Sequence, residues 1–178
     1  MTDDRLREIE KALEIAKWRY STHGLSAGQH AYDYGVLVVK NAFLVSGGGL
    51  FFVPTMVAMS PQINLGYAFV AGTLFGAGVI LALLANYFIH INWLLNEAVW
   101  DDIYNIEKID IRAAYNVGFS NDGGEREKSV LSHKKKCRWI NLTFWVPHAL
   151  AIIFVVVLVC ASFNLYEAFG LVLSEVNK

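Results

Sequence analysis

LGYAFVAGTLFGAGVILALLANYFIHINWLL, residues 65–95, contains no lysine, arginine, aspartate or glutamate. About 20 apolar residues suffice for a helix to cross a bilayer. This stretch is longer, so it must tilt or leave the bilayer as helix. Emergence is expected, because Leu95, Val99, Ile103, Ile106, Ile109 and Ala113 carry a helical stripe onward. Residues 36–58 and 139–163 are two further apolar stretches of spanning length. The predicted fold is therefore all-α: a helical transmembrane bundle of three spans with cytoplasmic amphipathic helices attached.

Composition agrees. Of the 178 residues, 55% are hydrophobic and 17% charged, against roughly 25% charged in soluble domains. Mean hydropathy is +0.38, and the net charge of -1 gives no bias toward nucleic acid. Cys137 lies beside a lysine run and Cys160 in an apolar run. They belong at different depths, so neither a disulfide framework nor a zinc knuckle is expected. The first thirty residues are rich in charge and lack an apolar core with a small-residue cleavage site, so no cleavable signal peptide is expected.

Four segments follow. Residues 1–31 read as an amphipathic N-terminal helix. Residues 32–95 read as a transmembrane hairpin, with spans at 36–58 and 65–95. Residues 96–138 read as a cytoplasmic helix followed by a basic loop, and 139–178 as the third span with an external tail. In the first helix, Thr2 can cap the start, and Asp3 and Asp4 suit the positive end of the dipole. Leu6, Ile9, Leu13, Ala16 and Tyr20 form one stripe, and Gly24 is expected to end the helix. The acids Asp3, Asp4, Glu8, Glu10 and Glu14 balance the bases Arg5, Arg7, Lys11, Lys17 and Arg19. A neutral helix favours packing on another helix over lying on an anionic membrane, where a net basic helix is usual.

Ser60, Pro61, Gln62, Ile63 and Asn64 make a short uncharged turn. Residues 115–132, with Gly118, Asn121, Asp122, Gly123 and Gly124, read as a flexible loop. His133, Lys134, Lys135, Lys136, Cys137 and Arg138 form a basic collar, and Trp139 and Trp145 suit a membrane interface. Leu165, Phe169 and Val172 give the tail a helical spacing, so it either lies on the surface or prolongs the span. Bases crowd the N-terminus and the segment between the second and third spans, and none lies in the outer turn. By the positive-inside rule the N-terminus is cytoplasmic, in an inner-membrane, multi-pass arrangement.

Small residues line the second span. Ala68, Gly72 and Gly76 recur every four positions. Gly78, Ala82, Asn86 and His90 do the same on the opposite side. Close backbone approach is what holds membrane helices together, so one side is expected to pack within the protomer and the other in a homo-oligomer. A tightly packed monomeric bundle is the alternative. A polar layer also recurs in the cytoplasmic half: Lys40 and Asn41 in the first span, Asn86 and His90 in the second, His148 in the third. Lys40 and Asn41 share a helix face with His30, Asp33, Gly47 and Gly48, and the two glycines, like Ala68, Gly72 and Gly76, are expected to serve helix packing. Burying a lysine in hydrocarbon costs on the order of 3 kcal/mol, so these groups should face protein or water. They either line a wet vestibule, or Lys40 snorkels while the others hydrogen-bond between helices. Pro147 beside His148 frees a carbonyl one turn back, which could kink the span.

His90 and His148 lie at comparable depth and could in principle face a haem iron. A lone intramembrane histidine is more often structural, and no cofactor or metal is expected. Arg126 and His133, with six residues between them, fit the loose Arg-x(4-6)-His pattern of some RNA-cleaving HEPN domains. A solvated charge run is the preferred reading. Asp101 and Asp102, on a helix next to the membrane, are expected to be solvated or paired with Lys134, Lys135 or Lys136. No phosphate loop, nucleophile elbow or zinc-protease helix motif occurs, so an enzyme is not expected.

The layout resembles small bacterial conflict-system membrane proteins of the SLATT type. Those have a cytoplasmic helix, a membrane hairpin with a short outer turn, and a second cytoplasmic helix. Residues 3–20, 36–95 and 96–114 would correspond, the last running from Asn96 to Ala114, and the third span has no counterpart. The resemblance implies a membrane-disrupting effector of anti-phage defence. The expected function is thus that of an oligomeric inner-membrane protein that forms or gates a pore, in contact with the lipid bilayer and with no nucleic-acid partner. The alternative is a non-enzymatic anchor whose cytoplasmic helices, 3–20 or 96–114, hold a protein partner.

Overall fold

A computed structural model describes the backbone of residues 3–59, 62–119 and 121–176, and the side chains of all of these except 27 and 170–176. Among the described residues there is no strand. Helix α1 spans Asp3–Arg19, a π-helical turn spans Tyr20–Leu25, and α2 spans Ser26–Met59. Helix α3 spans Leu65–Ala114 and α4 spans Asp122–Val176. Three helical runs are long and apolar enough to cross a membrane: Asp3–Met59, Leu65–Ala114 and Asp122–Phe169. The expected all-α bundle of three spans is the fold observed.

Local chemistry accounts for the helix ends. Asn64 Oδ1 accepts from the Gly66 amide at 3.0 Å, which caps the start of α3. At its other end Asn116 adopts a left-handed φ of 55°. The Val117 amide reaches Arg112 O and the Asn116 amide reaches Ala113 O, both at 3.0 Å. That pair is a Schellman motif with asparagine in the position glycine usually fills. Asp122 Oδ2 accepts from the Phe119 amide at 2.9 Å at the start of α4. Asp122 and Glu125 in the first turn suit its dipole.

The structure corrects two expectations. Gly24 does not end the first helix, because the chain stays helical from Asp3 to Met59. It is buried against Trp100, where a Cβ would lie 2.5 Å from Cδ2. The glycine permits close packing, and the wider π turn takes up the extra residue. Nor are residues 122–132 loop: α4 already begins at Asp122. Gly123 and Gly124 each cost about 1 kcal/mol in a helix, but they fall in its first turn, where few helical hydrogen bonds depend on them. Downstream, Arg126 is held by Asp110. The tail prolongs the third span as helix to Val176. The Thr2 cap, and Ser60 and Pro61 of the outer turn, lie outside the described residues.

The chain divides into two compact units, and both draw on distant parts of the sequence. The first comprises Met1–Tyr34 and Ile89–Phe144, the second Gly35–Phe88 and Trp145–Lys178. Between 35 and 88 the one charged residue is Lys40, and between 145 and 169 it is Glu167.

The second unit packs through small residues. Val53, Ile63, Ala68, Ala71, Phe75, Ala161 and Ala168 form its buried cluster. A Cβ on Gly49 would strike the Phe75 ring, and one on Gly78 would strike Ser46. Gly72 and Gly76 lie within ordinary contact of Val53 and Leu50, at 3.7 and 3.9 Å. The Asn64 amide donates to Ala168 O at 3.1 Å, tying the hairpin turn to α4. Both small-residue sides of α3 are thus occupied inside one protomer, Gly72 and Gly76 by α2, and Gly78 by Ser46 with Phe154 nearby. The spacing of α3 alone carries no argument for an oligomer.

In the first unit, Ile9 and Ala16 of α1 are buried, and Tyr20 stacks near Tyr104 with ring centroids 5.4 Å apart. The amphipathic helix packs on α3, although Leu6 of the expected stripe stays exposed.

Candidate functional site

In the second unit, the hairpin turn and Ala168 mark one end. Residues 35, 88 and 145, where the three helices enter or leave the unit, mark the other. Lys40, Asn41, Asn86 and His148 all lie within six residues of that second end, about 9 Å along a helix. All four are exposed, as is Gly48, while Gly47 is half-buried. A Cβ on Gly47 or Gly48 would meet nothing within 4 Å. The face of α2 that carries Lys40, Asn41, Gly47 and Gly48 is therefore open, and these glycines, unlike Gly49, pack on nothing in the protomer. The apolar residues around it, Leu44 and Phe51, are exposed as well. Such a surface suits hydrocarbon except at its polar groups.

His90 belongs to the first unit. Its ring is 5.9 Å from Trp93 and 6.1 Å from Tyr32, and Tyr32 and Trp93 are 5.4 Å apart. The His148 ring lies 5.9 Å from Trp145. Exposed Tyr34, Tyr87, Trp139 and Trp145 stand close in sequence to these groups. Aromatic residues of this kind concentrate where bilayer meets water.

The first unit holds a polar network around Asn92 that the sequence reading did not single out, and one of the pairings expected for Asp101 and Asp102. Asn92 Nδ2 donates to Ile140 O at 2.9 Å and to Thr143 Oγ1 at 2.8 Å. Asn96 Nδ2 donates to Asn92 O and Oδ1, both at 2.9 Å. Thr143 is buried, so this network satisfies groups that would be costly if left unpaired. Asn92 and Asn96 are four apart in an otherwise apolar run, and that spacing was the available signal. Lys136 Nζ donates to Asp102 Oδ2 at 2.8 Å and to Ala98 O at 3.0 Å. Of the three lysines in the collar, it is the inward one.

Helix α1 is fastened by Arg19, 2.8 Å from Glu107, and by the Tyr20 hydroxyl, 2.5 Å from Asp101 Oδ1. That hydrogen bond, with burial and the nearby charges of Asp101 and Glu97, pushes the Tyr20 hydroxyl up to about 12. Arg126 meets Asp110 through two hydrogen bonds of 2.7 and 3.3 Å, which hold its guanidinium protonated above the usual range. His133 Nε2 lies 3.6 Å from Cys137 Sγ, and its enclosed Nδ1 has no hydrogen-bond partner among the described residues. His133 also borders an open groove of about 460 Å³ on an isoleucine floor of Ile103, Ile106 and Ile111, rimmed by Arg19, Glu107 and Asp110. Arg126 and His133 both sit on helix α4, not in a loop. Among the described residues no group of three His, Cys, Asp or Glu is placed to hold a metal.

Compared with protein families, with curated proteins and with solved structures, the chain finds no match in any of the three.

Proposed function

We propose that this membrane protein assembles into an oligomer around a polar path and forms or gates a pore in a bacterial inner membrane, its N-terminus cytoplasmic. One observation carries the reading. Lys40, Asn41, Asn86 and His148 are exposed near one end of a unit whose exposed side chains are mostly apolar among the described residues. A lysine against hydrocarbon costs on the order of 3 kcal/mol. Water in a shared lumen, or other copies packed on the open Gly47 and Gly48 face, would relieve that cost for several groups together. Snorkelling relieves it for Lys40 alone.

The layout of cytoplasmic helix, membrane hairpin and second helix supports a role as an effector of anti-phage defence, of the SLATT kind. The basic residues at the N-terminus and in the 108–138 region support the cytoplasmic placement.

The test is conductance. Full-length protein reconstituted in planar bilayers should pass ions, and Lys40→Leu should change the conductance or its selectivity. Expression should depolarise cells. Silence in both assays, with insertion confirmed, would remove the reading.

The open groove beside His133 favours a second reading, in which the spans anchor a platform for a cytoplasmic protein. A soluble partner that copurifies in mild detergent, and is lost on an Ile106→Glu change, would support it.

A further inference from the structure

We propose that the outward face of α4 carrying Lys134, Lys135 and Arg138 binds the headgroups of anionic phospholipids. All three side chains are exposed, and among the described residues none has a carboxylate within ion-pair distance. Their neighbour Lys136 turns inward to Asp102. Arg19 and Arg126, in the same unit, are each matched to a carboxylate. The charge left over in the collar sits on one side of one helix.

That side continues as an interfacial surface. Lys135, Arg138 and Leu142 follow at steps of three and four, which places them on one face. Trp139 and Leu142 are 51% and 57% exposed just beyond the cations. Tryptophan prefers the headgroup level, and leucine the hydrocarbon below it. From Lys134 to Arg138 the helix rises about 6 Å, close to the ~6 Å depth of one headgroup layer. The arginine fork suits a phosphate geometrically, and the lysines add point charge. Exposed Glu125 and Glu127 lie two turns earlier on the same helix. They would repel a long polyanion lying along it, whereas a single headgroup needs only the short basic band.

The inference rests on the membrane placement and not on conduction. The test uses the full chain reconstituted in bilayers of phosphatidylcholine and phosphatidylglycerol, with bromine on the acyl chains of one lipid at a time. Bromine quenches tryptophan fluorescence on contact, and Trp139 adjoins the basic band. Phosphatidylglycerol should quench preferentially at low salt, and the preference should fade as salt rises. Each cation near the surface is worth about fivefold, so the triple change Lys134→Gln, Lys135→Gln, Arg138→Gln should lower the preference by tenfold or more.

The triple change Arg5→Gln, Lys11→Gln, Lys17→Gln alters net charge equally on exposed α1 positions and should leave the preference intact. Equal quenching by the two lipids, or an equal loss in the α1 variant, overturns the proposal. Displacement of the lipid by inorganic phosphate or an oligonucleotide at matched ionic strength also overturns it, in favour of a soluble anion. Failure of the chain to float with liposomes would sink the membrane placement itself. Flotation without lipid preference would sink only the headgroup site.

Discussion

Lys136 Nζ lies 2.8 Å from Asp102 Oδ2, with the carboxylate side chain 12% exposed and the lysine side chain 28%. The pair fastens α4 to α3 inside the first unit, and Ala98 O accepts a second hydrogen bond from the same ammonium. Removing one partner of a buried pair strands the other, at a cost of about 3–5 kcal/mol when burial is complete.

Partial exposure of Lys136 reduces that figure, so Asp102→Ala should destabilise the protein by about 1–3 kcal/mol. Lys134→Gln and Lys135→Gln should stay within about 0.5 kcal/mol, since both are exposed surface positions. Denaturant unfolding in detergent measures all three. An Asp102→Ala effect no larger than those of the two lysine variants would contradict the inward pairing of Lys136 with Asp102.

Glycines of the first two spans should behave in opposite ways. Gly49→Val and Gly78→Val push side chains into Phe75 and Ser46, and overpacking costs about 1–3 kcal/mol. Gly47→Ala and Gly48→Ala meet open space and should be neutral, or stabilise by up to about 1 kcal/mol through helix propensity. If the open α2 face packs against further copies, those two alanine variants should still change conductance. Loss of stability in the Gly48→Ala protomer would show that this face is not open.

Tyr20 should give the protein an alkaline weakness. Its hydroxyl is raised to about 12 in the folded chain, against about 10 unfolded. The folded state then holds the proton more tightly, so this contribution is complete below pH ~10 and is lost as pH rises toward ~12. Ultraviolet titration of wild type minus Tyr20→Phe should reveal one late-titrating tyrosine, and Tyr20→Phe should flatten the decline in stability across that window. A difference curve centred on the ordinary tyrosine value would refute the bond to Asp101.

Asn92 and Thr143 should be energetically coupled. Thr143→Val keeps shape but removes one of the two acceptors of the Asn92 amide, at a cost of about 1 kcal/mol. Asn92→Ala removes both hydrogen bonds that the amide donates and one acceptor of Asn96, the side-chain Oδ1, while the backbone acceptor stays; it should cost about 2 kcal/mol. A double-mutant cycle should return a coupling of at least ~0.5 kcal/mol. Simple additivity would mean that the two side chains do not meet.

The sequence alone decided the fold class, the number of spans and the approximate ends of most helices. Each of these rests on local quantities: an uncharged run of sufficient length, an asparagine before α3, charge at a helix end. A bilayer leaves backbone groups no partner but their own helix, so length and apolarity suffice to dictate a span. Tertiary structure decided everything that depends on which distant residue arrives. It chose Lys136 over Lys134 and Lys135 as the partner of Asp102. It put Trp100 over Gly24, so that the glycine serves packing instead of ending a helix. It spent the small residues of α3 inside the protomer and left Gly47 and Gly48 open. A glycine reads the same in sequence whether a ring covers it or nothing does, because that difference is set by the rotation of one helix against another.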